Sequence, residues 1–353
     1  MLAQDISYDE SKRLTNPLYI DVRSPQEWLD GNIPGSINIP LFNDQERAEV
    51  GTIYKQIDYE TARDKGLKIV APKLHEIITK VDKLATDKSI IVYCWRGGMR
   101  SKSITALLQA IGISVYRLVG GYKSYRSYVV TNLSEVDYNK IFVVLNGMTG
   151  VGKTEILENL QSIGYPVLNL EGFAGHRGSA FGAVGLSSIN SQKQFESLLL
   201  ERIRNIGDTK YYIIEAESRR IGKVIIPKEI INAKENGIHI MMTASEEIRA
   251  KRLYDEYLKD RDIDDIISDI INPIDSIKKK LSTCSYQEIQ QAITNKDVYK
   301  IIMNLMIDYY DPRYRYAIKR YNSTSYEVDA TDLDKAVKDI IKLLKGVEYE
   351  YIN

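Results

Sequence analysis

Two strand–loop–helix units constrain the fold of this chain more than any other feature of its sequence. In each unit a β-branched apolar run ends in a glycine-containing loop, and a helical stretch follows, at residues 90–108 and 141–160. Strand-like and helical stretches also alternate through both halves of the chain, which is typical of α/β domains with mainly parallel sheets. The sequence therefore predicts two α/β domains, each with a glycine loop after a strand.

The length of 353 residues is sufficient for two hydrophobic cores. We expect a first domain at 1–128, a linker at 129–140 where the sequence is polar and Tyr-rich, and a second domain at 141–353. Residues 43–68 are charged and predict an insertion in the first domain. Residues 248–306 have a long helical pattern, with Pro273 as an interruption. The expected strands are 18–21, 89–93, 115–118, 141–145, 166–170, 211–215 and 238–243.

Charge and cysteine content narrow the choice of partners and compartment. The chain has 48 basic and 48 acidic residues, so nucleic-acid binding would need a local basic face. Its two cysteines are too few for a disulfide framework and lack the spacing of a zinc site, so we expect a reducing cytoplasm and no zinc. The N-terminus lacks the basic and apolar regions of a signal peptide. No apolar stretch approaches the roughly 20 residues that span a bilayer, so we expect no membrane association.

The first candidate site is the sequence YCWRGGMRS, in which Cys94 directly follows a buried strand. Gly97 and Gly98 let the backbone curl, and the loop N–H groups and the next helix N-terminus then point at the sulfur. Arg96 and Arg100 add positive charge. This pattern predicts an activated thiolate in an anion-binding loop. A small buried hydrophobe is the usual role of a lone cysteine, and we keep that interpretation for Cys284.

The second candidate site is GMTGVGKT at residues 147–154, a phosphate-binding P-loop between a strand and a helix. Its glycines let the backbone wrap a phosphate, Lys153 neutralises charge, and the Thr154 hydroxyl is a tentative Mg²⁺ ligand. The pattern recognises phosphate oxygens, so ATP, GTP or an organic diphosphate would all fit. The predicted ligand-binding residues are Gly147, Thr149, Gly150, Val151, Gly152, Lys153 and Thr154.

Two further segments supply candidate residues for the second site. Glu215 and Glu217 lie at the end of a strand, which faces the phosphates in a P-loop sheet, and either could order Mg²⁺ or act as a base. Arg219 follows them. The polar glycine-rich segment EGFAGHRGSAFGAVG predicts a substrate-contacting loop. Its candidate residues are His176, Arg177 and Ser179.

The first half resembles the rhodanese family over roughly 125 residues, through Cys94 and the upstream segment DVRSPQEWLDGNIPGSINIP. The matching residues are Asp21, Val22, Arg23, Ser24, Pro25, Glu27, Gly31, Ile33, Pro34, Gly35 and Asn38. The resemblance implies that Cys94 carries a persulfide or perselenide or attacks a chalcogen donor. Cys94 and Arg100 are spaced as C-x5-R, whereas ordinary single-domain rhodaneses have C-x4-R. The longer loop is similar to that of rhodanese-fold phosphatases and arsenate reductases, and would fit a selenophosphate-sized anion.

Together with the P-loop and the segments EGFAGHRGSAFG and EAESRRIG, this order of motifs resembles the tRNA 2-selenouridine synthase family over essentially the whole chain. Members of that family alkylate the sulfur of wobble 2-thiouridine with geranyl diphosphate and then replace it with selenium from selenophosphate. The resemblance implies a transferase in which the P-loop binds the diphosphate and Cys94 serves the selenium step. It also implies a tRNA anticodon loop as substrate and a selenophosphate-supplying enzyme as a partner.

For RNA contacts we single out the segment DPRYRYAIKRY at 311–321, which interleaves basic residues with tyrosines. Its candidates are Arg313, Arg315, Lys319 and Arg320, and an exposed amphipathic helix is an equally weighted interpretation. The rival function is a rhodanese-fold phosphatase, arsenate reductase or sulfurtransferase fused to a P-loop kinase acting on a small molecule. Arg249 and Arg252 favour this rival because they resemble arginines of nucleotide-kinase lids. A nucleotide-regulated scaffold is a third, non-enzymatic interpretation.

Overall fold

The computed structural model describes residues 4–177, 189–259, 261–318 and 325–352. Contacts divide the chain into two compact units. The first comprises Met1–Val136 with Lys193–Glu201, and the second comprises Asp137–Gln192 with Arg202–Asn353. None of the described helices is both long and apolar enough to cross a bilayer.

The first unit is built on one parallel sheet of five strands in the order β1-β5-β4-β2-β3. Its strands are β1 (Gln4–Ile6), β2 (Pro17–Asp21), β3 (Ile37–Asn38), β4 (Ser89–Tyr93) and β5 (Val115–Leu118). Its helices are α1 (Tyr8–Ser11), α2 (Pro25–Leu29), α3 (Asp44–Gln56), α4 (Tyr59–Val70), α5 (Leu74–Leu84), α6 (Met99–Ala110) and α7 (Gly121–Ser134), with a 3₁₀ turn at Ala71–Lys73. The three strands expected here are confirmed, and the predicted insertion is the helical pair α3 and α4.

Both faces of this sheet are covered, as its sequence requires. Ile90 and Val92 of β4 pack into one core, whereas Ile91 and Tyr93 pack into another, because successive side chains of a strand point to opposite faces. All four are essentially inaccessible to solvent. A strand buried on both sides reads as a continuous apolar run, which is how this segment was recognised.

The expected linker at 129–140 differs in the structure, because its first residues continue helix α7 to Ser134. Tyr122, Tyr125 and Val129 lie on one face of α7 and are almost completely buried. Their spacing is helical, and the tyrosines supply the apolar face that the composition had suggested was missing. The Tyr-rich segment therefore belongs to the core of the first unit.

The rhodanese-like signature folds around a buried ion pair. The Arg23 guanidinium donates to both carboxylate oxygens of Asp21 at 2.6–3.0 Å, and both side chains are buried. It also lies 4.0 Å from the centre of the Tyr122 ring. The Asn38 amide donates to the carbonyl oxygens of Asp21 and Arg23. This network fixes the turn after β2, beside the strand that carries Cys94.

The second unit contains a parallel sheet in the order β12-β11-β6-β8-β7 and a small antiparallel pair. Its strands are β6 (Ile141–Gly147), β7 (Val167–Leu168), β8 (Tyr211–Glu215), β9 (Arg220–Ile221), β10 (Val224–Ile225), β11 (Ile238–Thr243) and β12 (Ser325–Asp329). The helices of this half of the chain are α8 (Lys153–Ser162), α9 (Leu170–Ala174), α10 (Gln192–Ile206), α11 (Lys228–Glu235), α12 (Glu246–Leu258), α13 (Ile263–Ile277), α14 (Thr283–Thr294), α15 (Val298–Asn304), α16 (Asp311–Ile318) and α17 (Leu333–Ile352), with a 3₁₀ turn at Lys278–Lys280 and a π-helix at Leu305–Tyr310.

Strand β6 lies at the centre of this sheet, between β8 and β11. Its carboxyl end is therefore flanked by strands on both sides, which is the usual place for a ligand in an open parallel sheet. Four of the strands expected in this unit are confirmed, with β7 shorter than predicted.

The described part of residues 248–306 is mostly helical, as expected, and these helices pack around a core of their own. Helix α13 buries Ile266, Ile270, Ile274 and Ile277 at helical spacing. Pro273, expected to interrupt the helix, lies inside it. The apolar face on both sides of the proline holds the helix together despite the missing N–H donor.

Candidate functional site

Cys94 directly follows β4 and is buried, with 3% of its surface exposed. A short loop leads from it to Gly98, which precedes the first turn of α6, and no side chain caps this helix end. The first N–H groups of α6 therefore have no capping acceptor from the protein, which makes this end suited to bind an anion. Cys94 thus lies between a buried strand and a helix start, the local fold that the sequence predicts.

The Cys94 sulfur contacts the helix through Ser101. Its Sγ lies 3.2 Å from the Ser101 Oγ, and the Ser101 side chain is fully buried. The Gly98 carbonyl oxygen lies 4.0 Å from the sulfur and 3.3 Å from the Ser101 hydroxyl. A hydroxyl at this distance can donate to a thiolate, so the first turn of α6 supplies a polar partner for the sulfur. Ser101 was not among the predicted site residues, although it closes the motif YCWRGGMRS.

The backbone of the Cys94 loop is shaped by two glycines far apart in the sequence. Gly97 has a φ of +63° and Gly121 a φ of +58°, a region that favours glycine. A Cβ on Gly121 would lie 2.2 Å from the Cys94 carbonyl oxygen. The N–H groups of Tyr122 and Lys123 donate to the carbonyl oxygens of Cys94 and Trp95 at 2.8 and 2.9 Å. The start of α7 thus holds the loop in place.

The two arginines predicted to add charge to this loop have different surroundings. The Arg100 guanidinium forms two hydrogen bonds to Glu27, at 2.6 and 3.2 Å, and Arg47 lies 3.4 Å from the same carboxylate. Burial alone raises the pKa of Glu27, but the hydrogen bonds and charge of Arg100 outweigh it, so the pKa lies below its usual value. Arg96 is exposed on the loop. In this structure Arg100 is therefore engaged by a carboxylate that the sequence analysis did not assign to the site.

The P-loop connects β6 to α8 and adopts a glycine-dependent backbone. The φ angles of Gly147, Gly150 and Gly152 are +152°, +78° and +94°. A Cβ on Gly150 would lie 2.6 Å from the Arg249 carbonyl oxygen, and no side chain caps the start of α8 at Gly152. Val151 is buried beneath the loop. The predicted conformation, with backbone N–H groups available to a phosphate, is supported by this geometry.

Lys153 begins α8 and its ammonium group folds over the loop. Its Nζ donates to the carbonyl oxygens of Gly147 at 2.9 Å and Met148 at 3.4 Å. It also lies 5.4 Å from the centre of the Tyr314 ring. Burial lowers the pKa of Lys153, opposed by neighbouring carboxylates of which Glu217 is the strongest. The cation is thus placed beside the loop where a phosphate oxygen would bind.

Three carboxyl groups surround this cation. The buried Glu215 accepts a 2.7 Å hydrogen bond from the Glu171 N–H through Oε1, while its Oε2 is buried with no hydrogen-bond partner among the described residues. Burial raises the pKa of Glu215 to about 7. Burial also raises the pKa of Glu217, opposed by the charges of Lys153 and Lys234. For Glu171, burial and the charges of Glu217 and Glu215 raise the pKa to about 9.

Glu171 is the residue of this site that sequence reasoning missed. It lies in the first turn of α9, three residues after the end of β7, and its Oε2 lies 3.5 Å from the Thr154 hydroxyl. Its position as the first residue of the glycine-rich segment after a strand was the available signal. The structure thus brings together Lys153, Thr154, Glu215 and Glu217 as predicted, and adds Glu171.

Two arginines brace the P-loop from the helical part of the unit. Arg249 forms a buried forked pair with Asp311, with N–O distances of 2.9 and 2.8 Å, and donates to the Thr149 carbonyl oxygen at 3.2 Å. Arg252 donates to the Val151 carbonyl oxygen at 3.0 Å and to two carbonyls after β12. Both guanidinium groups are committed to the protein itself, which weighs against their interpretation as lid arginines.

The remaining predicted ligand-binding residues are placed as follows. The Arg177 guanidinium pairs with Glu256 at 2.6 Å and lies over the Tyr257 ring. The His176 ring packs against Gly222, and burial lowers the pKa of His176. Arg219 is exposed between β8 and β9. Ser179 lies outside the described residues.

The candidate RNA-binding helix is α16, which lies in the same unit as the P-loop. Arg313 and Arg315 are exposed, and Arg313 stacks on the Tyr309 ring at 3.6 Å while its guanidinium donates to the Tyr309 carbonyl oxygen. Lys319 and Arg320 lie outside the described residues. Tyr314, between the two arginines, is the residue that contacts Lys153.

Comparison with known proteins identifies both halves of the chain. Residues 7–128 match the rhodanese-like domain, and residues 140–344 match the AAA domain of tRNA 2-selenouridine synthase. The predicted rhodanese-like domain and parallel-sheet P-loop domain are thus confirmed.

Several curated relatives are similar over most of their length. The tRNA 2-selenouridine synthases of Pseudomonas savastanoi pv. phaseolicola (strain 1448A / Race 6) and Shewanella oneidensis are each 31% identical, over 84% and 85% of this chain and 87% and 86% of theirs. That of Nitrosomonas europaea is 34% identical over 72% of this chain and 67% of its own. With a domain match over more than half of its residues and relatives of this similarity, the chain belongs to the tRNA 2-selenouridine synthase family.

Proposed function

We propose that this protein is a transferase that converts wobble 2-thiouridine of tRNA into 2-selenouridine in two steps. The first step transfers a geranyl group from geranyl diphosphate to the sulfur, and the second replaces the geranylated sulfur with selenium from selenophosphate. The names of its relatives support the overall conversion. The geometry of the two loops supports the assignment of one step to each.

In the first step the thiouridine sulfur forms a bond to C1 of the geranyl group, and the C–O bond breaks with its electron pair leaving on diphosphate. Lys153 and the N–H groups of the P-loop and α8 stabilise the charge that develops on the diphosphate. The N3 proton of the base must also leave. Glu215, whose pKa is raised to about 7 by burial, is suited to accept it near neutral pH.

The single observation that carries geranyl diphosphate over a nucleoside triphosphate is an apolar cavity beside the P-loop. It has a volume of about 50 Å³ and is lined by Thr149 of the loop and by side chains of the helical part, including Leu253, Ile266 and Met306. Its mostly apolar lining suits the carbons of a prenyl chain better than the polar edges of an adenine or guanine ring. The engagement of Arg249 by Asp311 further disfavours the kinase alternative.

Magnesium would assist this step through Thr154 and Glu171, whose oxygens lie 3.5 Å apart. Such oxygen donors suit Mg²⁺, which usually takes one or two protein ligands and completes its shell with phosphate oxygens and water. No three His, Cys, Asp or Glu side chains in the described part of the chain form a metal-binding group. When bound, the ion would neutralise charge on the diphosphate.

In the second step selenium of selenophosphate forms a bond to C2 of the base, and the C–S bond breaks. The departing geranyl thiolate takes the proton that selenium loses and leaves as geranylthiol. Water then cleaves the Se–P bond and gives phosphate and 2-selenouridine. Cys94, at the uncapped start of α6, serves this step by helping to bind selenophosphate at the anion-binding loop. A selenophosphate-supplying enzyme is then a partner, and a cytoplasmic location remains our prediction.

The decisive test is incubation of purified protein with a 2-thiouridine tRNA stem-loop, geranyl diphosphate and selenophosphate, with each omitted in turn. We expect Lys153→Ala to abolish geranyl transfer, because the diphosphate loses its main cation. We expect Cys94→Ala to accumulate the geranylated nucleoside without selenation. Cys284 is exposed, so the prediction that it is buried is wrong, and Cys284→Ala should behave as wild type. Mass analysis of the nucleosides measures each product. ATP hydrolysis without RNA, or selenation without geranyl diphosphate, would contradict the proposal.

A further inference from the structure

The first unit contains an apolar cavity that no step described so far uses. It has a volume of about 400 Å³ and lies between the helices α3 and α4 of the insertion and the start of α6. Its walls include Phe42, Val50, Tyr54, Leu67 and Met99. This volume is within the range of sites that enclose small organic ligands.

The mouth of the cavity exposes more apolar surface than a folded protein usually leaves to water. Tyr54, Tyr59, Leu67 and Met99 are each between 45% and 64% exposed. The rings of Tyr54 and Tyr59 pack edge to face at 6.3 Å. Clustered exposed hydrophobic side chains around a cavity indicate a binding site for an apolar group.

The cations of the lining do not offer charge to an anion. Arg100 is held by Glu27 at 2.6 Å, and Arg63 is held by Asp64 at 3.1 Å. With both guanidinium groups paired with carboxylates, the remaining lining is mainly hydrocarbon and aromatic rings. The cavity is therefore suited to an uncharged hydrocarbon chain.

The cavity shares the first turn of α6 with the reactive thiol. Met99 and Arg100 line it, and the next residue, Ser101, contacts the Cys94 sulfur at 3.2 Å. A ligand bound with its hydrocarbon part in the cavity would thus have its other end near the Cys94 loop. The charged insertion, which has no other assigned role, supplies one wall of this site.

We infer that this cavity binds the geranyl chain of the S-geranylated nucleotide while its sulfur is replaced at the Cys94 loop. The inference rests on the proposed function, because it concerns the substrate of the second step. The geranyl group enters the cavity attached to the sulfur of the nucleotide and leaves as geranylthiol. The cavity therefore recognises both the substrate and the departing product. The cavity is large enough for a ten-carbon branched hydrocarbon, and its walls are mainly apolar.

The test compares two RNA stem-loops, one with S-geranyl-2-thiouridine and one with S-methyl-2-thiouridine, each supplied with selenophosphate. The variant is Leu67→Gln, at a cavity residue that is 64% exposed, and the matched control is Ile57→Gln, 66% exposed on the same insertion but outside the lining. We expect Leu67→Gln to raise KM for the geranylated RNA about tenfold and to leave the methylated RNA unchanged. The control should change neither, and geranylation of 2-thiouridine should be unaffected.

Equilibrium dialysis with the S-geranyl-2-thiouridine nucleoside gives a second reading on the full-length protein. Leu67→Gln should weaken this binding relative to both wild type and Ile57→Gln. Equal effects on both RNAs, no effect, or a change in oligomeric state with Leu67→Gln would overturn the inference, the last by showing that a second copy covers the patch. If the wild-type protein makes no 2-selenouridine from geranylated RNA, the proposed function fails. Equilibrium dialysis still decides in that case whether the cavity binds the geranyl group.

Discussion

The buried pair between Arg249 and Asp311 allows a quantitative test of how the P-loop is held. Arg249 is 4% exposed and Asp311 2%, and the change Arg249→Met removes two charged hydrogen bonds and the bond to the Thr149 carbonyl oxygen. The Asp311 carboxylate would then remain buried without a counter-charge. Breaking one side of such a pair costs about 3–5 kcal/mol, a large share of the roughly 5–15 kcal/mol that stabilises a typical domain.

Urea unfolding measures this effect through a fluorophore attached to Cys284, which is exposed on α14, whereas Cys94 is buried. The control is Arg261→Met, which removes an ion pair to the half-exposed Asp269 and should cost less than about 1 kcal/mol. The double change Arg249→Met with Asp311→Leu should cost clearly less than the sum of the single changes. If Arg249→Met were no more destabilising than the control but abolished phosphate-ligand binding, Arg249 would be a ligand-facing arginine and the kinase alternative would regain support.

Three further predictions concern other parts of the sites. The pKa of Glu171 is raised to about 9 from 4.5, so between these values the folded protein keeps a proton that the unfolded chain releases, and the free energy of unfolding falls as pH rises. Measured by urea unfolding between about pH 6 and about pH 10, Glu171→Gln should lose less stability than wild type. The same dependence of stability on pH in both proteins would refute this. Gly121→Ala places a Cβ 2.2 Å from the Cys94 carbonyl oxygen at a φ of +58°, and should destabilise the first unit by more than about 1 kcal/mol and abolish selenation. The control Gly112→Ala has no atom within 4 Å of its Cβ, so it should be destabilised only by its positive φ and should keep selenation. Selenation by Gly121→Ala at the wild-type rate would contradict the role of this contact. If α16 binds RNA, Arg315→Ala should reduce the salt slope of tRNA binding by about one, and Arg313→Ala by less because its guanidinium is already engaged by Tyr309; unchanged slopes would exclude the helix.

Both loops could be placed from the sequence because their glycines and strands leave few alternatives. The apolar run before Cys94 and the motif ending in Lys153 and Thr154 each fixed a strand, a turn and a helix start. The short edge strands β1 and β3 could not be recognised, since two or three residues carry no periodicity. Strand β12 was also missed, because its short, mostly polar sequence is stabilised by pairing with β11 rather than by its own pattern.

The partners of charged side chains could not be derived from sequence, because they depend on contacts between distant segments. Glu27 lies 73 positions before Arg100, and Asp311 lies 62 positions after Arg249. From the sequence alone, Arg100 is therefore predicted to add charge to the thiol loop and Arg249 to belong to a lid. Glu171 was overlooked for the same reason, since its proximity to Glu215 arises only when β7 and β8 pair.

The dependence of the Cys94 loop on residues 120–123 has a consequence for the protein during its synthesis. Until Lys123 has left the ribosome, the carbonyl groups of Cys94 and Trp95 lack their N–H donors. The loop around the Cys94 thiol therefore cannot adopt its folded conformation. A nascent or truncated chain ending before Gly120 would thus expose the Cys94 thiol to oxidants and to reactive selenium compounds.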